Sequence, residues 1–209
     1  FKTKISVRTL YRYIDSGIFL KLTNKDLPVK GKRKKHPKRV RVQKRASAGE
    51  SIENRPKEVE DRKTFGHWEM DTVEGKRGKT KSCLLVLTER LTRAEIVMKL
   101  PDKKASSVIE ALDRLERKWG ERFKKVFLSI TVDNGTEFSY VQKIERSALR
   151  DGKRTSVYYC HPYSSWERGS NENNNRLVRR HKPKGTDLDK VPESEIEYIE
   201  EWMNDYPRR

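Results

Sequence analysis

Three acids stand where a carboxylate can do chemistry. Asp71 lies in the strand-like run FGHWEMDTV (65–73), on the face that alternation shares with Glu69 and Val73. Asp133 closes the apolar run VFLSITVD (126–133), directly before the turn pair Asn134-Gly135. Glu172 sits in GSNENNNRL (169–177) among four asparagines, just ahead of several arginines. Each has a plain structural reading. A turn-forming aspartate is common at a strand end, and an acid in the first turn of a helix favours the helix dipole. Taken together, three carboxylates from two strands and a helix can hold hard divalent cations through oxygen, leaving positions for water and phosphate. Two such ions can activate an attacking oxygen and stabilise a leaving one on a phosphodiester.

Other residue types point elsewhere or nowhere. Cys83, Cys160, His67 and His161 lack the paired short spacings of a zinc site, and each cysteine lies in an apolar strand-like run, so two buried thiols in a reduced cytoplasmic protein are expected. Trp68, Tyr163 and Trp166 have the ring systems to stack on an unpaired base, with core packing the stronger expectation for Trp68. His161 and Arg168 lie close in sequence to Glu172, and Arg168 is a candidate for contact with a phosphate. Arg176, Arg179, Arg180, Lys182 and Lys184 suit a basic face toward DNA, or a solvated helix.

The elements that must position these residues follow from apolar spacing. In the segment 6–17, SVRTLYRYIDSG, Ser6 can cap a short helix with Val7, Leu10, Tyr11 and Ile14 on one face and Arg8 and Arg12 on the other. That pattern suits either the second helix of a helix-turn-helix or an ordinary amphipathic helix. Residues 30–45 contain ten Lys/Arg and no acid, Lys32, Arg33, Lys34, Lys35, Arg39 and Arg41 among them. Like charges this dense oppose packing and favour an arm that pairs with phosphates. A polar stretch, 47–63, is expected to act as a linker. From residue 65 the spacing predicts three strands (65–73, 82–90, 93–100), a helix (103–120), a central strand (126–133), a helix over 137–150, a strand (155–160), a helix from about 171 to 181, and a last helix opened by Pro192. The order is α/β with an antiparallel opening.

Composition sets the partner class. Of 209 residues, 33% are hydrophobic and 38% charged, and Lys+Arg 49 against Asp+Glu 31 leave a formal net charge of +18. Polyanions are the natural partner. No apolar run approaches the roughly 18 residues a spanning helix needs, so no membrane partner is expected. Opening on Phe1 and ending at YPRR after a helical pattern, the sequence reads as a piece of a longer protein.

The segments GHWEMDTV, TVDNGTEF and HPYSSWERGSNENNNRL, followed by KPKGTD (182–187), resemble the catalytic domain of bacterial transposases of the insertion-sequence-thirty family. The likeness runs over roughly 65–205, and SVRTLYRYIDSG resembles the end of that family's helix-turn-helix. It implies an RNase H-like mixed sheet, three antiparallel strands and then parallel ones, flanked by helices. It also implies a catalytic domain over 64–209, truncated at its end, a linker over 29–63, and a helix-turn-helix remnant over 1–28.

Carried onto this chain, the resemblance makes Asp71, Asp133 and Glu172 the catalytic and metal-binding triad for two Mg2+ or Mn2+ ions. The implied reaction is cleavage at transposon ends and transfer of the 3′ hydroxyl into target DNA. The implied partners are double-stranded DNA, as terminal inverted repeats and target, and a second copy of the chain in a homodimer or larger assembly on DNA. One departure stands out: from Asp133 to Glu172 the step is 172 − 133 = 39, longer than the family's pattern, and the excess is assigned to ERSALRDGKRTS (145–156). The rival functions are a nuclease of the same fold that cuts without joining, and a transposase-derived DNA-binding protein without catalysis.

Overall fold

The computed structural model describes residues 5–27, 49–161, 164, 167 and 169–207, and for 169–172 it describes the backbone. The chain divides into two units, Phe1–Val42 and Gln43–Arg209. In the first, helix α1 (Val7–Asp15) begins at Ser6, whose hydroxyl accepts from Thr9 N at 3.1 Å and so satisfies an amide the helix leaves open. It ends before Gly17, whose φ of +69° suits a residue without a side chain. Ile14 is its buried residue, while Val7, Leu10 and Tyr11 are exposed.

The second unit is built on a six-stranded sheet of order β1-β6-β5-β2-β3-β4. Its strands are β1 (Glu50–Ser51), β2 (His67–Glu74), β3 (Cys83–Glu89), β4 (Glu95–Leu100), β5 (Ser129–Val132) and β6 (Ser156–Tyr159). Strands β2, β3 and β4 run antiparallel; β5 and β6 join β2 in parallel, and β1 extends β6 in parallel. This is the expected RNase H-like order with one short strand added at the edge. That strand corrects the reading of 47–63 as a linker. Helix α2 (Glu58–Asp61) follows it, Val59 is buried, and the Arg55 guanidinium reaches Thr131 Oγ1 at 2.9 Å. A buried arginine and a sheet register bind this stretch into the domain.

Alternation along β2 and β5 separates two faces. Trp68, Met70, Ile130 and Val132 enter one apolar cluster with Val108, Leu112 and Leu115 of α3 (Ala105–Trp119) and with Phe123 of α4 (Phe123–Val126). Phe127 stacks between Trp68 and Phe123, with ring centroids 4.7 and 4.3 Å away. On the other side Val73, Leu84, Val86 and Val97 pack under Leu177 and Val178 of α6 (Gly169–His181) and Ile196, Ile199 and Met203 of α7 (Glu193–Asp205). Helix α7 also covers the edge strand β4: Val97 N donates to Glu200 Oε2 at 2.7 Å, and Asn204 bonds both Glu95 N and Glu95 O. The edge amides thus find partners without another strand.

The helix expected over 137–150 is shorter. After a 3-10 turn, α5 covers Val141–Glu145, and the chain then doubles back through a bridge between Arg146 and Lys153. Arg154, 1% exposed, explains the turn: it donates to Ile144 O at 2.8 Å, Asp113 Oδ1 at 2.6 Å and Glu116 Oε2 at 3.2 Å. Ser147 Oγ and Ala148 N also donate to Glu116. The long loop is clamped onto α3, because a buried guanidinium must find its anions there.

Candidate active site

Strands β2 and β5 pair His67 with Ser129, Trp68 with Ile130 and Glu69 with Thr131. Continuing that register by two residues sets Asp71 level with Asp133, on the face opposite Met70 and Val132. Both aspartates are partly buried. Asp71 Oδ1 accepts from Thr72 N at 2.8 Å, and Asp133 Oδ1 accepts from Gly135 N at 2.9 Å. Gly135 is closely surrounded: a Cβ there would lie 2.6 Å from Glu137 Oε2 and 2.9 Å from Asp133 Oδ1, so both carboxylates would have to give way.

Helix α6 approaches this pair. Asn175 Nδ2 donates to Asp71 Oδ2 at 2.8 Å, and Asn174 Nδ2 donates to Thr88 Oγ1 at 3.2 Å. Glu172 lies on the same helix one turn before Asn175, a spacing that puts two residues on one helix face; its side chain is outside the described residues. Two of the asparagines beside it thus have a defined use.

The floor beneath the aspartates is polar and paired. Glu69, fully buried, accepts from Arg90 Nη1 at 2.5 Å, and Arg90 also faces Glu60 at 3.5 Å. Glu60 in turn pairs with Arg55, which holds Thr131. One carboxylate of α2 therefore links two arginines, and each arginine holds the residue two positions before an aspartate of the pair. His67 Nδ1 lies 2.7 Å from Ser129 Oγ, and burial pushes its pKa down. On the opposite face, Thr72 Oγ1 donates to buried Glu137 at 2.7 Å, and Lys103 Nζ reaches Glu74 at 2.6 Å and Glu137 at 3.2 Å. Burial works against the Lys103 ammonium, but its two carboxylate partners outweigh it and hold its pKa above the ordinary range; Glu74 is held low by the Lys103 hydrogen bond.

The donor set fits a hard cation. Two half-buried carboxylates at one level repel one another unless positive charge stands between them, and oxygen-only ligands suit Mg2+ or Mn2+ rather than zinc. Among the described residues no group of three His, Cys, Asp or Glu is arranged to hold a metal ion. The thiols are accounted for otherwise: Cys83 and Cys160 are both buried, and burial pushes the Cys83 thiol up to about 12.

Residues 61–165 match the family model of the integrase core domain, a span that includes Asp71 and Asp133. The chain belongs to this family. It is 40% identical over 205 residues to a probable transposase for insertion-like sequence element IS1161 of Streptococcus salivarius, a match covering 98% of this chain and 55% of that protein. It is 32% identical over 161 residues to the transposase InsI for insertion sequence element IS30C of Escherichia coli, covering 77% of this chain and 39% of that protein. The chain thus spans about half the length of the first of these relatives. The catalytic core domain of a BIV integrase aligns over 70% of this chain and 88% of its own, at 19% identity and a TM-score of 0.49.

The basic residues divide. Arg176 and Arg180 are exposed, with Arg180 over the Tyr206 ring and donating to its hydroxyl at 3.0 Å. Arg179 is half-buried and donates to Glu74 O at 2.8 Å, so it ties α6 to β2. Lys182 is 6% exposed and pairs with Glu195, which removes it from the expected DNA face. Arg8 and Arg12 are exposed on α1 of the first unit. Lys32, Arg33, Lys34, Lys35, Arg39, Arg41, Tyr163, Trp166 and Arg168 lie outside the described residues. His161 bonds Glu167 at 2.8 Å and faces Glu53 at 3.2 Å, and the Glu167 hydrogen bond raises its pKa. Trp68 is a core residue, its indole N–H on Val126 O at 2.8 Å.

Sequence reasoning missed Glu137, Lys103, Asn175, Arg55 and Arg90. The signal for Glu137 was present in DNGTEF, four residues past Asp133; the arginines offered none, because an Arg in a polar stretch or at a strand end looks like any solvated cation.

Proposed function

We propose that this chain is the catalytic part of a transposase that cuts DNA at transposon ends and joins the freed 3′ hydroxyl to target DNA. The observation that carries this reading is the parallel register of β2 and β5, which, continued two residues past Glu69 and Thr131, sets Asp71 level with Asp133, under a helix that bears Glu172 and reaches Asp71 through Asn175. Family membership and the similarity to insertion-sequence transposases support it.

Asp71, Asp133 and Glu172 would hold two divalent ions, Mg2+ or Mn2+. When bound, the ions supply Lewis-acid polarisation of the phosphoryl oxygens and a nucleophilic oxygen at neutral pH. The chain's own part is placement. The β2–β5 register sets two carboxylates side by side, Asn175 fixes the rotamer of Asp71, and the Gly135 amide fixes that of Asp133. Fixed carboxylates leave little reorganisation for the moment of reaction. DNA duplexes carrying the terminal inverted repeats and the target are the proposed substrates, met by a homodimer or larger assembly that holds two ends together. A bacterial cytoplasmic setting fits the two buried thiols.

The test is cleavage of a labelled transposon-end duplex with Mg2+ or Mn2+ by the full-length parent and its Glu172→Gln variant, after DNA binding by both has been matched. Cleavage by the parent alone supports the reading. Equal cleavage by both removes Glu172 from the triad. Precut ends offered with target DNA then separate a transposase from a nuclease that does not join.

A further inference from the structure

The turn between β2 and β3 reads GKRGKTKS (75–82) and carries Lys76, Arg77, Lys79 and Lys81 with no acid. All four side chains are exposed, and among the described residues none of them makes an ion pair. The acids nearby are engaged elsewhere. Glu74 pairs with Lys103, Asp187 faces Lys190 at 3.7 Å and Thr80 at 3.5 Å, and Asp189 accepts from the Ser82 and Lys81 amides at 2.8 and 3.3 Å. The acids fix the turn's backbone or answer other cations, and its lysines are left to solvent.

The turn is also rigid. Lys79 N and Thr80 N both donate to Lys76 O, Lys76 N donates to Thr80 Oγ1 at 3.2 Å, and Gly78 takes a φ of +75°. Its base is backed by the chain after α6, since a Cβ on Gly75 would stand 2.8 Å from Thr186 O. Arg179 joins the same base through Glu74 O. Like charges held this close repel one another, and Glu74, the acid that acts on Arg77, already pairs with Lys103. The turn continues the strand that bears Asp71. Five residues of extended chain, about 17 Å at most, separate Asp71 from Lys76, a reach of about five base pairs of duplex at about 3.4 Å each.

We infer that the β2–β3 turn is a duplex-binding clamp, in which Lys76, Arg77 and Lys79 grip the phosphate backbone flanking the reacting phosphate. This rests on the proposed action on DNA, but it is tested without the chemistry. Binding of a labelled random-sequence duplex of about 30 base pairs is measured by anisotropy, without divalent metal, across a salt series, for the whole chain. The variant K76Q/R77Q/K79Q is compared with R122Q/K124Q/K125Q, which removes the same charge from exposed residues of α4 and its N-cap, at the far end of β5.

Each lost phosphate contact flattens the slope of log affinity against log salt by about 0.9, so the turn variant is expected to be shallower by about 2 to 3, with the α4 variant near the parent. Equal flattening in both variants, or none in the turn variant, overturns the clamp. A parent that binds with these slopes but does not cleave would instead count against the proposed reaction alone.

Discussion

The two faces of β2 and β5 are made by alternate residues of the same strands, yet they are built by opposite means. One face carries Trp68, Met70, Ile130 and Val132 against aromatic rings. The other is Glu69, Asp71, Thr131 and Asp133 over the Arg90–Glu60–Arg55 link. The apolar face is held by area removed from water, which is strong and tolerant of small shifts. The polar face is held by directed pairs, which contribute less net stability but fix positions. A site that must hold two like charges level with one another belongs on the second kind of surface.

That contrast can be broken most sharply at Arg90. Arg90→Met leaves Glu69 buried without its cation and is expected to lower stability by about 3–5 kcal/mol, read as a shift in a urea midpoint. Replacing both members with apolar residues, E69M/R90M, is expected to recover most of that loss. Failure of the double variant to recover would mean that the pair contributes to stability as the apolar face does.

A smaller effect is expected above the floor. Asn175→Leu removes the donor to Asp71 Oδ2 and is expected to weaken divalent-metal affinity by about 10- to 100-fold, followed as the loss of Mn2+-induced rise in Tm, with stability in the absence of metal close to the parent's. An unchanged metal response would show that the strand register alone orients Asp71.

The smallest effect belongs to the edge. Burial raises the pKa of Glu200 above its ordinary 4.5, against the pull of the Val97 amide. A carboxyl group raised in this way contributes stability that is complete below its unfolded pKa and is lost as pH rises through the folded value. Glu200→Gln keeps an acceptor for Val97 N without the charge, so at pH 8 it is expected to raise Tm by about 1 to 3 °C, with a difference that shrinks as pH falls toward 4.5. A constant difference across that range would refute the burial cause.

Much of the site was legible because its signals are local. Alternation in FGHWEMDTV put Asp71 on the face away from Trp68 and Met70, the apolar run before Asp133 announced a buried strand, and the PYSSWERGSNEN stretch named a family. The span 49–61 was not legible. Its strand is two residues long, and its membership in the sheet rests on Glu50 and Ser51 pairing with Tyr158 and Tyr159 more than a hundred residues later. Lys182 misled for the opposite reason: it stands in a basic run, and only the packing of α7 against α6 brings Glu195 to it.

By itself, then, the sequence determined which residues alternate and which carboxylates end strands, since period and turn chemistry act over a few residues. Only the tertiary structure decided that the two aspartates stand level, that Arg55 and Arg90 are buried under them, and that the long loop is clamped by Arg154. Each of those depends on a partner distant in the chain, and the energy of a buried charge is defined only once that partner is in place.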